Sequence, residues 1–101
     1  MAKGYWIARV DVHDAETYKE YVRLNAVAFA KYGARFLVRG APFELKEGTS
    51  RARNVVIEFP SYQAARDCYD SPEYQRALAV RREVSTGDLV ITEGYDGPQP
   101  G

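Results

Sequence analysis

Tyr5-Trp6-Ile7-Ala8-Arg9-Val10-Asp11-Val12 alternates in polarity along its length. Trp6, Ala8, Val10 and Val12 share one side of an extended chain, and Tyr5, Ile7, Arg9 and Asp11 share the other, which predicts a β-strand. The first set suits a core, whereas the second mixes Ile7 with two charges. The same contrast recurs outward along the chain, and the fold follows from it.

After this strand, Asp14 is placed to cap a helix by accepting from the free donors of its first turn. Tyr18, Tyr21, Val22, Asn25, Ala28, Phe29 and Tyr32 recur at three- and four-residue steps and give that helix one core-facing stripe. Gly33 supplies a left-handed stop. Period two returns from Ala34 to Gly40, with Phe36 and Val38 on one side and Arg35, Leu37 and Arg39 on the other. Gly40, Ala41 and Pro42 interrupt it, Phe43, Leu45 and Glu47 alternate briefly, and Gly48, Thr49 and Ser50 turn the chain. A third strand runs from Arg53 to Phe59, with Arg53, Val55, Ile57 and Phe59 on one face and Asn54, Val56 and Glu58 on the other. Pro60 ends it and Ser61 caps a helix with the stripe Ala64, Ala65, Cys68 and Tyr69. Ser71-Pro72-Glu73 restarts that helix, because serine at the cap with proline at the first helical position is a start signal. Tyr74, Ala77, Leu78 and Arg81 continue its face. Gly87 closes the region and Leu89 to Tyr95 reads as a fourth strand.

The order strand, helix, strand, strand, helix, strand matches the α+β, ferredoxin-like βαββαβ plan: an antiparallel four-stranded sheet with the helices on one face. Residues 1–95 are expected to form one domain and 96–101, with two glycines and two prolines, a flexible C-terminal tail. The composition, 46% hydrophobic and 28% charged, excludes a disordered or low-complexity chain. Fourteen basic residues balance fourteen acidic ones, so no field gathers nucleic acid or an anionic membrane. One cysteine and one histidine cannot build a four-ligand zinc site, and no glycine-rich phosphate loop follows a strand, so neither a metal nor a cofactor is expected. The free thiol, with no signal-like apolar stretch from Met1 to Arg9, points to the cytoplasm.

The sheet face away from the helices carries Ile7, Leu37, Val56 and Val90 among its charges, more apolar surface than water alone explains. A second copy related by a two-fold axis covers such a patch most simply, and charges between the two sheets would line a cavity. The alternative is a monomer with an amphipathic outer face.

Gly4-Tyr5-Trp6, Gly33-Ala34-Arg35-Phe36-Leu37-Val38-Arg39-Gly40, Val56-Ile57-Glu58-Phe59-Pro60-Ser61-Tyr62 and Ser71-Pro72-Glu73-Tyr74 resemble the family called domain of unknown function 1330. The resemblance runs from Gly4 to about Gly94. It implies a dimeric α+β barrel, the architecture shared by small monooxygenases, muconolactone-type isomerases and haem-degrading or chlorite-splitting proteins, and it implies no particular activity. Ala15, where a proline often follows the capping aspartate, and Ala34 and Ala41, where second glycines are usual, depart from the family pattern.

Parity places Arg39, Glu58 and Arg9 together on the open face. An arginine fork binds a carboxylate or enolate at two points, which makes Arg39 or Arg9 an anion clamp. A glutamate partly stripped of water can take a proton, the base role assigned to Glu58 beside Arg39. Tyr5 on the same face could donate to a ligand. The competing reading has the three charges neutralise one another across strands. The helical tyrosines, among them Tyr18, Tyr21 and Tyr74, read as core or interface packing. Asn25 reads as a satisfied structural amide, Arg81 and Arg82 as complements to a helix dipole, His13 as a solvated turn residue and Cys68 as a buried filler. The expected function is a cofactor-free isomerase or oxygenase of a small anionic aromatic or keto acid. The alternatives are a small-molecule binding protein without turnover and an accessory dimerisation module.

Overall fold

The computed structural model describes residues 2–101. Strand β1 (Gly4–Val12) leads to helix α1 (Ala15–Tyr32), then β2 (Arg35–Arg39), β3 (Arg53–Phe59), α2 (Tyr62–Asp70), α3 (Pro72–Val84) and β4 (Ser85–Glu93). The sheet order is β2-β3-β1-β4 and every neighbouring pair is antiparallel. This is the ferredoxin-like α+β fold, with three helices because the second helical unit breaks at Ser71.

The punctuation read from the sequence holds in atomic detail. Asp14 accepts from the Thr17 amide at 3.1 Å, and Gly33 ends α1 at φ 71°, where the Cβ of other residues would be strained. Ser71 serves two helices: its hydroxyl donates to the Cys68 carbonyl at 2.7 Å and accepts from the Tyr74 amide at 3.1 Å. Gly4 leaves space for the entry to α2, since a Cβ there would stand 2.7 Å from the Tyr62 Cα.

Trp6 centres the core between sheet and helices. It is fully buried, donates from Nε1 to the Ala65 carbonyl at 2.8 Å, and meets Phe29 and Tyr74 edge-on at 5.3 and 4.8 Å. Phe59, Ile57, Ala28, Ala77 and Leu78 close around it.

Two strand expectations need correction. The fourth strand begins at Ser85, directly after α3, and Gly87 lies within it; glycine is required because a Cβ would stand 2.9 Å from the Arg9 carbonyl oxygen. In β2, Phe36 pairs with Ile57 but Val38 pairs with Val56, so Leu37 is an extra residue without a partner. This β-bulge reverses the facing of everything after it. Val38 therefore joins the open face and Arg39, opposite Val55, joins the helix side.

Candidate functional site

With the bulge included, the open face is banded. The register places Arg35, Glu58, Tyr5 and Thr92 in one polar row, then Val38, Val56, Ile7 and Val90 in an apolar row, then Asn54, Arg9 and Asp88 in a second polar row. Tyr5 Oη lies 3.5 Å from Glu58 Oε2, at the limit of a hydrogen bond. Arg35, not Arg39, stands across from Glu58. Among the described residues no ion pair joins Arg9, Arg39 and Glu58. The acidic groups at the far end are taken by Arg51, which bridges Asp11 at 2.9 Å and Asp88 at 2.8 Å. The expected constellation thus divides: Glu58, Tyr5 and Arg9 share the open face, and Arg39 lies across the sheet from them.

Arg39 is found instead at a cleft between α1 and the sheet, with its guanidinium 4.0 Å above the Phe36 ring. Arg53 reaches the same cleft from the start of β3 and Arg81 from the last turn of α3. Trp6, Phe29 and Phe36 form aromatic walls, and Tyr18, Tyr21 and Asn25 arrive from α1. The volume is about 40 Å³, room for several waters or for the charged head of a ligand. No carboxylate lines it, and none of its three arginines is in an ion pair among the described residues. Arg53 Nε and Arg81 Nε are buried and without a hydrogen-bond partner. Like charges converging in a half-dry cleft repel, and an anion entering would relieve them while accepting their free donors.

The polar groups from α1 fit that chemistry. Asn25 is 5% exposed and lines the cleft. Tyr21 Oη is 2.8 Å from Tyr74 Oη, with Arg81 above the Tyr21 ring at 5.7 Å. Burial, and then the Tyr21 phenol beside them, holds Tyr18 and Tyr74 above the ordinary phenol range, so both are neutral donors. Arg81, expected only to complement a helix dipole, closes one side of the cleft. Cys68 is wholly buried and away from it, and His13 is exposed, 2.8 Å from the Thr86 hydroxyl.

Sequence reasoning missed Arg53, Arg81 and Asn25 as a group, although a signal existed. All three sit on stripes that are otherwise apolar: Arg53 with Val55, Ile57 and Phe59, Arg81 with Tyr74, Ala77 and Leu78, Asn25 with Tyr21, Ala28 and Phe29. No group of three or more metal-ligating side chains occurs among the described residues, and no helix there is long and apolar enough to cross a membrane.

A family model described as domain of unknown function (DUF1330) matches residues 3–95. No curated protein matches the chain. Among solved structures, a protein of unknown function from Rhodopseudomonas palustris superposes with a TM-score of 0.73 at 17% identity, over 95% of this chain and 85% of that one. SnoaB, a cofactor-independent oxygenase from Streptomyces nogalater, gives 0.61 at 16% identity, over 99% of this chain and 97% of that one. A dimeric protein of unknown function and ferredoxin-like fold from Bacteroides fragilis gives 0.52 at 15% identity, over 90% and 95%. At these identities the likeness is one of fold.

Proposed function

This chain belongs to the DUF1330 family, and we propose that it binds a small anionic metabolite, an aromatic or keto acid, in the cleft between α1 and the sheet and acts on it as a cofactor-free oxygenase. The observation that carries this reading is the convergence of Arg39, Arg53 and Arg81 on an aromatic-walled cleft that no carboxylate neutralises. Guanidinium forks suit a carboxylate or enolate, and a cleft of about 40 Å³ takes that charged head while the body of the acid lies outside its mouth.

The proton inventory favours an oxygenase over an isomerase. An isomerase must carry a proton between two atoms of its substrate, and the cleft lining includes no carboxylate or imidazole. Glu58, the base expected from the sequence, is on the opposite face of the sheet. A phenolate or enolate that enters already ionised needs no base: the arginines favour its ionised form, and the electrons pass from that anion to dioxygen. The Streptomyces neighbour supports this at the level of fold alone. The same lack of a base favours, as a second reading, a carrier that binds the acid without turnover.

Calorimetry with benzoate, salicylate, phenylpyruvate and 2,5-dihydroxybenzoate tests the site, and an oxygen electrode tests the reaction. Binding of at least one acid is expected, weakened about tenfold or more in Arg53→Gln, with oxygen uptake on the dihydroxy acid. Binding without uptake selects the carrier. No binding by any of the four overturns both readings.

The banded open face fits a second copy of this chain, the apolar row Val38, Val56, Ile7 and Val90 being flanked on both sides by polar rows. The Bacteroides neighbour, described as dimeric, supports this homodimer. Light scattering at micromolar concentration should return twice the chain mass, and Ile7→Lys should return the mass of one chain.

A further inference from the structure

We propose that Tyr21 is a hydrogen-bond donor to the ligand's oxyanion in the cleft, with Tyr74 as the positioning residue that fixes where its proton points. This rests on the anion-binding reading above and adds a selection rule to it.

Tyr21 lines the cleft and Tyr74 is 0% exposed on α3, their oxygens 2.8 Å apart. Two phenols own two protons but share one hydrogen bond, so one proton remains for a third group. Tyr74 has no acceptor to turn to besides Tyr21 Oη among the described residues; Arg81, which lies beside both phenols, is a donor only. A buried hydroxyl without an acceptor is strongly disfavoured, so Tyr74 donates to Tyr21. The free proton is then that of Tyr21, and the space open to Tyr21 is the cleft. Burial keeps Tyr74 in its protonated form, which holds this direction across the neutral range.

The three guanidinium groups and the Tyr21 hydroxyl meet a ligand's head as donors, while Asn25 Oδ1 and Tyr18 Oη are the acceptors in the lining. A head that presents only acceptors, such as a carboxylate or an enolate oxygen, offers all its oxygens to those donors, whereas an amide head offers one oxygen and turns N–H groups toward the rest. Arginine supplies the charge preference; Tyr21 adds discrimination by hydrogen-bond sense, which charge alone does not give.

The test compares benzoate with benzamide by calorimetry on the intact protein and on Tyr21→Phe, Tyr74→Phe and the double variant. Tyr21→Phe should weaken benzoate about tenfold and leave benzamide nearly unchanged. Tyr74→Phe should weaken benzoate a few-fold in the native background and not at all in the Tyr21→Phe background, because it acts only through Tyr21. A packing role for Tyr74 would weaken binding in both backgrounds and overturn its assignment as a positioning residue. Tyr21→Phe strands the buried Tyr74 proton and can lose stability; the double variant, apolar at both positions, removes that difficulty and should still bind benzoate about tenfold more weakly than the native protein. Benzoate lost in Arg53→Gln but held at native affinity in Tyr21→Phe and in the double variant overturns this proposal and leaves the anion site standing. If benzoate and the other acids fail to bind the native protein, the underlying reading falls and this one with it.

Discussion

A variant lacking Leu37 separates the observed register from the parity reading of the sequence. If Leu37 is the unpaired residue of a bulge, its removal lets Arg35-Phe36-Val38-Arg39 pair regularly with Glu58, Ile57, Val56 and Val55, and Arg39 keeps its partner and its side. If the strand were regular, the same deletion would swing Arg39 to the opposite face. The stability change should be small. Leu37 is 46% exposed, so about half of a leucine's burial, roughly 1 kcal/mol, is lost. Against this, one fewer residue need be ordered, worth about 1–2 kcal/mol. The two nearly cancel, and the thermal midpoint should stay within about 8 °C of the native value. The assay is the side-chain NMR signal of the Arg39 Nε–H, which the Phe36 ring below its guanidinium displaces upfield; Phe36→Leu identifies it by abolishing that displacement. A displaced signal in the native protein that is retained in the folded deletion variant supports the bulge. A native signal at the position of a free arginine that becomes displaced only in the folded deletion variant refutes it and returns Arg39 to the open face.

Three further outcomes follow from local geometry. Ser71→Ala removes a buried hydroxyl that caps α3 and ties off α2, and should cost about 1–2 kcal/mol, a fall of roughly 5–15 °C in thermal midpoint by calorimetry. The Cys68 thiol, pushed up to about 12 first by burial and then by the Glu73 charge, should react with a disulfide reagent at pH 8 only as fast as the protein unfolds; rapid labelling of the native state contradicts this. Asp11, held low by the Ala52 amide and then by Arg51, and Asp14, held low by the Thr17 amide and hydroxyl, stabilise the fold above the ordinary carboxylate range and lose that contribution as pH falls through their lowered native values. The thermal midpoint should therefore drop below about pH 4, less steeply in Asp11→Asn.

The fold was legible because its signals are local. Alternation in Tyr5–Val12 and Arg53–Phe59, the caps Asp14 and Ser61, the Ser71-Pro72 restart and the Gly33 stop each depend on a few neighbouring residues, and the structure uses them as read. The candidate site depended on one event that a local pattern hides. Phe36-Leu37-Val38 is apolar throughout, so the sequence does not mark where an extra residue enters, and a regular strand carried Arg39 to the wrong side. Arg53 was assigned its true face, but a charge at the first residue of a strand reads as a strand end. Arg81 near a helix terminus has a sufficient explanation in the dipole. Each arginine alone had an ordinary account; only the folded chain shows that three of them meet.

Their meeting argues for a ligand more strongly than any one of them does. A guanidinium on a core-facing stripe, without a counter-ion, opposes folding, and a leucine or methionine at Arg53 or Arg81 would serve packing better. The backbone nonetheless makes room for one of these groups. A Cβ on Gly40, at φ 68°, would stand 2.9 Å from the Arg53 guanidinium carbon, and one on Gly87 would stand 3.5 Å from Arg81 Nη1. Glycine at position 40 lets the Arg53 guanidinium lie against bare main chain, whereas the 3.5 Å at position 87 is ordinary contact. An anion that binds there stabilises the folded state in proportion to its concentration over its dissociation constant, and so returns the stability that the unpaired charges withhold. Three such charges around one aromatic cleft are the physical basis on which the proposal of an acidic ligand stands.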